Sequence, residues 1–253
     1  MPNVVLSGEP FTVADGYDNF WRKANAGRWE PTTFEAIRRC VDAETVVLDI
    51  GAWVGATVLF ASRRAKRVEA FEPDPASAAT LRQNLALNPA EARKVRVHEK
   101  AVWTEAGPRA MGNRHAPGDS TSSLLDAGAA HSWTIDCIAA SDLTGLVGDA
   151  EKLFIKMDVE GAEYDVLPQL APLLERPQVA VLIAFHPQFA VPGTFRFRQT
   201  RLLTERAFRA FDDFSVERVA RRHIRPAFGA QFAKATGAWI FEARDNFLFR
   251  KRA

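Results

Sequence analysis

Cysteine is almost absent from this chain. Cys40 and Cys137 are the only two in 253 residues, and neither belongs to a Cys-x-x-Cys pair. A disulfide framework is therefore not expected, and a reducing cytoplasm is the default compartment. Missing too is any uninterrupted apolar run near the roughly 20 residues that span a bilayer. The N-terminus lacks a basic segment followed by an apolar one, so no signal peptide is expected. Neither an internal repeat nor a low-complexity tract is present. No charge sign dominates: 33 Lys and Arg against 31 Asp and Glu leave a net charge of +2. That balance provides no electrostatic reason to expect nucleic acid as the main partner. Small basic groups such as Arg221-Arg222 and Arg250-Lys251-Arg252 read as solvated surface.

What is present fits a globular domain. Apolar residues make up 47% and charged residues 25%, and the length suffices for one large domain with a full core. The organising stretch is Val46-Val47-Leu48-Asp49-Ile50-Gly51-Ala52-Trp53-Val54-Gly55. An apolar run ends in an acid and two glycines, and the helical pattern Thr57-Val58-Leu59-Phe60-Ala61 follows. This is strand, tight turn, helix. Glycine permits a sharp turn and close approach of a ligand. In an open parallel sheet, ligands bind beyond the carboxyl ends of the strands.

Further strands are expected at Arg67–Phe71, Val95–His98, Lys152–Gly161 with a polar end, Val179–Phe185, Phe214–Val219 and Asn246–Arg250, with a short edge strand at Trp133–Asp136. Helical spacing runs from Ser77 to Asn88, and Thr32 or Thr33 is placed to cap a helix ending at Cys40. Residues 104–131 are rich in Gly, Ser, Ala and Pro and read as a long excursion. Residues 220–240 carry no clear pattern. Strands alternating with helices predict an α/β domain with a mostly parallel sheet. Residues 1–45 form an N-terminal extension ahead of a domain over 46–253. Its aromatics Tyr17, Phe20, Trp21 and Trp29 either pack on the core or form a lid over the substrate.

Two strand ends suggest a nucleoside cofactor. One is the loop Asp49, Gly51, Ala52, Trp53, Gly55. The other is Glu72, followed by Pro73 and Asp74, about 20 residues on, where a carboxylate can take both hydroxyls of a ribose. A dinucleotide loop wants Gly-x-Gly-x-x-Gly, but Trp53 occupies the second glycine position and Ala56 the third. A P-loop lysine is absent. S-adenosylmethionine carries no phosphate and needs no second glycine, and its cationic groups favour an acid such as Asp49. Asp158 and Glu160 alternate on a strand end and share a face, with Glu163 following. Three carboxylates there are able to hold a hard cation, but a metal-free base is the preferred reading and no metal is expected. His186 closes the next strand, which places an imidazole beside Asp158. His98, His115, His131 and His223 lack such a setting.

Taken together the residues resemble a class I S-adenosylmethionine-dependent methyltransferase of the FkbM family. The likeness rests on the Asp49-to-Gly55 loop, Ala70-Phe71-Glu72-Pro73-Asp74-Pro75, Asn84-Leu85-Ala86-Leu87-Asn88, Ser122-Ser123-Leu124, Thr134-Ile135-Asp136 and Ile155-Lys156-Met157-Asp158-Val159-Glu160-Gly161-Ala162-Glu163. Cys137, where an acid is common, and Trp53, where Asn is frequent, depart from the pattern. The resemblance implies a Rossmann-like seven-stranded sheet with its last strand antiparallel. It implies methyl transfer, commonly to a hydroxyl of a sugar, glycolipid or natural product. Expected cofactor residues are Asp49, Gly51, Ala52, Trp53, Gly55, Glu72, Pro73, Asp74, Ala101, Val102 and Asp158. His186, Asp158 and Glu160 are the catalytic candidates. The expected partner is a small acceptor with a free hydroxyl. Rival readings are an S-adenosylmethionine-binding protein without turnover and a nucleotide-dependent oxidoreductase.

Overall fold

The computed structural model describes residues 1–113, 117–126, 128–190, 197–221 and 245–252. The stretch around 220–240, His115 and His223 lie wholly or almost wholly outside these residues. The chain begins with a hairpin of β1 (Asn3–Leu6) and β2 (Glu9–Thr12), then α1 (Asp18–Asn25) and α2 (Pro31–Cys40). Next come β3 (Val46–Ile50), α3 (Ala56–Ser62), β4 (Arg67–Phe71), α4 (Pro75–Ala86) and β5 (Val95–His98). Three strands, β6 (Ala101–Trp103), β7 (Gly107–Asn113) and β8 (His131–Ala139), form a separate small sheet. β9 (Lys152–Met157), β10 (Gln178–Phe185), β11 (Phe214–Arg221) and β12 (Asp245–Lys251) complete the main sheet.

The seven main strands stand in the order β11-β12-β10-β9-β3-β4-β5. All pairs among β5, β4, β3, β9 and β10 are parallel, and β12 runs antiparallel between β10 and β11. This is the Rossmann-like class I arrangement with its last strand reversed. β3 is buried along its whole length, Val46 to Ile50, as expected for a strand covered on both faces. From β3 the chain builds outward to β4 and β5 on one side and returns to β9 on the other. The strand order therefore reverses between β3 and β9. In an open parallel sheet that reversal leaves a crevice at the carboxyl ends of the strands.

Three local expectations change. Trp133–Asp136 belongs to the longer β8 of the small sheet rather than to an edge of the main one. The Gly- and Ser-rich excursion contains β7, paired with β8 from Gly107–Cys137 to Asn113–His131. Helix α2 opens at Pro31, with Glu30 as N-cap in a left-handed conformation, so neither Thr32 nor Thr33 caps it. Proline is favoured there because the first turn has no use for its missing N–H. Thr33 instead donates to the Glu30 carboxylate at 2.9 Å.

The N-terminal extension shares the core of the sheet. Val4, Leu6, Phe11, Val13 and Trp21 pack in one buried cluster with Phe34, Val47, Phe60 and Leu182. Two asparagines fasten it. Asn84 accepts from the Ala14 amide at 2.7 Å and donates to the Val54 carbonyl at 2.8 Å. Asn88 accepts from the Thr12 amide at 3.2 Å and donates to its carbonyl at 2.6 Å. The segment is thus bound to the body through buried contacts, while Tyr17, Phe20 and Trp29 face a cavity. The packing reading therefore holds for Trp21 and its neighbours, and Tyr17, Phe20 and Trp29 stand at the cavity wall.

Candidate active site

The crevice contains a cavity of about 1380 Å³, above the 300–1,000 Å³ usual for one small ligand. Its floor is set by backbone bonds between strand ends. The Gly51 and Ala52 amides donate to the Phe71 carbonyl at 3.0 Å, the Asp158 amide to Ile50 at 3.0 Å, and the Glu72 amide to His98 at 3.0 Å. Gly51 has φ +85°, and a Cβ there would stand 2.0 Å from the Asp158 carbonyl oxygen. Glycine is required where the β3 loop crosses the β9 loop, a reason the sequence alone does not show. Gly55 is the N-cap of α3 at φ +87°, pressed on Leu81, and does not line the cavity.

Glu72 is fully buried in this floor. Its carboxylate accepts from the Trp53 amide at 2.7 Å and the Asp74 amide at 2.9 Å. Each oxygen keeps a further lone pair for a ligand hydroxyl. Burial pushes its pKa up to about 7, against the pull of those two amides and with help from Asp74. Gly51, Ala52, Trp53 and Pro73 line the cavity beside it, and Ala101 and Val102 line another wall.

Asp49 and Asp74, expected at the cofactor, do not line the cavity. Asp49 is 1% exposed and is engaged by Lys156 at 3.0 Å and by the Thr57 hydroxyl at 2.5 Å. Burial alone would lower the Lys156 pKa, but Asp49 and Asp158 hold it above the usual range. Lys156 also donates to the Gly51 carbonyl at 2.7 Å. Asp49 therefore shapes the loop through Lys156, behind the cavity wall. Asp74 caps α4 through the Ala76 and Ser77 amides and accepts from the Gly118 amide at 2.8 Å. It ties the 117–126 loop to the site.

Trp53 adopts φ +47°, a left-handed conformation costly for a large side chain. Its indole donates to the Gly118 carbonyl at 2.9 Å, and the same carbonyl takes the Tyr17 hydroxyl at 3.0 Å. Its ring meets Tyr17 and Phe20 edge to face, with centroids 5.4 and 4.5 Å away. The N-terminal segment, the β3 loop and the 117–126 loop thus meet at one aromatic corner. We expect Phe20→Ala to raise the acceptor KM by about 3- to 10-fold, the worth of one aromatic contact, and to leave S-adenosylhomocysteine affinity unchanged. Steady-state kinetics and calorimetry on one preparation check this; an equal loss in both would refute an acceptor role for that corner.

Asp158, Glu160 and His186 converge on the cavity. Their donor atoms all lie within 4.8 Å of one another. His186 Nε2 stands 3.6 Å from Asp158 Oδ1 and 3.6 Å from Glu160 Oε1. On the other edge of the ring, Nδ1 donates to Glu163 at 2.8 Å. Glu163 is wholly buried and also accepts the Val159 and Gly161 amides at 3.2 and 2.9 Å. Burial would lower the His186 pKa, but the three carboxylates outweigh it and raise it to about 9. An imidazole at its ordinary value of about 6.5 is what made His186 look like a base in sequence. Ser123 donates to the Glu160 carbonyl at 2.7 Å, where the backbone turns at φ +50°. The Ser122-Ser123-Leu124 stretch thus holds the acidic loop in place. Lys156, Thr57 and Ser123 were not picked out as site residues by the sequence reading, although Lys156 and Ser123 belong to the quoted motifs; Tyr17 was named there only among the aromatics of the extension.

The fold has many relatives among solved structures. A Streptococcus mutans protein described as a methyltransferase, in complex with S-adenosylhomocysteine, is 9% identical; the alignment covers 88% of this chain and 97% of that one at a TM-score of 0.51. A Clostridium thermocellum protein described as an rRNA methylase is 10% identical over 88% and 95% at 0.51. A methyltransferase FkbM from Methylobacillus flagellatus is 19% identical over 94% of this chain and 56% of that one, at 0.48. No curated protein matches the chain. A family model described as the methyltransferase FkbM domain matches residues 49–210. That span runs from Asp49 at the end of β3 through Glu72, Asp158, Glu160 and His186, and well over half of the chain lies within it. The chain belongs to the FkbM family of methyltransferases.

Proposed function

We propose that this methyltransferase uses S-adenosylmethionine and methylates a hydroxyl oxygen on a small acceptor such as a sugar, glycolipid or natural product. The observation that carries the reading is the sharing of one cavity by two differently equipped groups. Glu72 and the glycine loop suit a nucleoside, while Asp158, Glu160 and His186 suit a hydroxyl. The volume leaves room for cofactor and acceptor together. The net charge of +2 favours a small acceptor over nucleic acid.

Bound S-adenosylmethionine supplies an electrophilic methyl group. The chain's residues do the rest. Glu72 takes the ribose hydroxyls, and Ile50, Phe71, Val102 and Met111 offer apolar wall. The hydroxyl of the acceptor donates to Asp158 or Glu160, which accept its proton as the oxygen attacks. His186 holds both carboxylates in place, and Glu163 holds His186. Alignment in a dry cavity provides the remainder.

A screen of tritiated-methyl transfer to glycosides, lipids, hydroxylated natural products and RNA tests the acceptor class. Label appearing on RNA alone would refute the small-acceptor reading. Glu72 makes the cofactor reading testable by pH. Ribose hydroxyls favour the charged carboxylate, so binding lowers a pKa that starts at about 7. Affinity for S-adenosylhomocysteine should therefore be full above pH 7 and weaken as pH falls through it, by up to about tenfold per unit. Glu72→Gln should flatten that dependence. A wild-type dissociation constant that stays constant across this range would reject the ribose assignment.

A further inference from the structure

We infer that Asp158, Glu160 and His186 form a binding site for one divalent first-row transition-metal ion, set in the wall of the cavity. Among the described residues, this is the group whose donor atoms converge closely enough to hold an ion. Two carboxylate oxygens and one imidazole nitrogen, 3.6 Å apart at the His186 edges, lie beyond hydrogen-bond range. Donors sharing an ion at about 2.1 Å sit roughly 3–3.4 Å apart. Small side-chain rotations close that gap. The ring has the setting of a metal ligand: its other nitrogen is bonded at 2.8 Å to Glu163, a buried carboxylate outside the trio. Such a partner fixes the tautomer and points the free nitrogen at the ion.

Mixed oxygen and imidazole donors suit a divalent first-row transition metal better than calcium or magnesium, which prefer oxygen alone, and Mn²⁺ is the paramagnetic probe of that class. The site opens to the cavity, so further positions are available to water or to the acceptor. What the ion does there rests on the proposed O-methyl transfer. An acceptor oxygen on the ion loses its proton more easily, to a carboxylate oxygen not bound to metal and then to solvent. The oxygen–methyl bond forms as the sulfonium–methyl bond breaks.

The test is Mn²⁺ titration of the full chain without cofactor or acceptor, followed by the electron paramagnetic resonance of the free aquo ion. Pulsed measurements of the bound ion read nitrogen coupling. The expected result is one ion per chain with coupling to one imidazole nitrogen. His186→Gln should abolish the coupling. Asp158→Asn and Glu160→Gln should each weaken binding more than about tenfold, and Glu163→Gln by about 10- to 100-fold. No Mn²⁺ binding, or binding without nitrogen coupling in the wild type, overturns the site, whatever the variants do. S-adenosylhomocysteine affinity measured on the same samples separates the two readings. Cofactor binding without Mn²⁺ binding refutes only the metal site; Mn²⁺ binding without cofactor binding refutes only the cofactor assignment.

Discussion

His186→Ala should lower turnover by about 10²–10⁴ with S-adenosylhomocysteine affinity little changed. The ring touches Asp158, Glu160 and Glu163 and sits 3% exposed at the end of β10. Without it the two carboxylates facing the cavity lose the imidazole packed beside them, and an ion bound there would lose a nitrogen ligand. Removal also leaves the buried Glu163 with only its two amide donors, a change that costs up to about 3–5 kcal/mol of stability in buried pairs. His186→Gln, which keeps a donor, is the companion variant, and thermal melts with cofactor binding establish that each variant is folded. Asp158→Asn should harm both quantities, because Asp158 lies where the β9 loop is bonded to Ile50 at 3.0 Å and passes over Gly51. Near-normal turnover in folded His186→Ala would remove the residue from the mechanism.

The second large effect is expected at Glu72. Its two oxygens are held by the Trp53 and Asp74 amides, aimed before any ligand arrives. Glu72→Ala deletes two charge-assisted hydrogen bonds to ribose, each worth about 1.5–3 kcal/mol. Cofactor affinity should fall by at least about a hundredfold. The variant also frees two backbone amides in the loop, so Glu72→Gln serves as the milder control. Calorimetry giving the same dissociation constant for wild type and Glu72→Ala would dismiss the ribose role.

Much of the fold was legible because its elements are written in local pattern. The runs at Val46–Ile50, Lys152–Met157 and Gln178–Phe185 are short, apolar and closed by polar residues, which is how strands buried on both faces read. β7 was not legible. Gly107–Asn113 is Gly-Pro-Arg-Ala-Met-Gly-Asn, with no alternation, and it becomes a strand only by pairing with β8. The hairpin of β1 and β2 was likewise missed, since four-residue strands carry too little pattern.

The sequence by itself determined the α/β class, the strand ends that carry Glu72, Asp158 and His186, and the family. Side-chain type and periodicity along one chain suffice for those. Tertiary structure decided which acids face the cavity. Asp49 looked like a cofactor acid until Lys156, 107 residues away, bonded to it. Asp74 looked the same until it capped α4 and took the Gly118 amide. Glu163 looked like a third carboxylate for an ion, but His186 reaches it first. The upward push on the His186 pKa was also beyond the sequence. It depends on burial and on three acids from another strand end, and charge–charge energies depend on distance and dielectric, which only the folded chain sets.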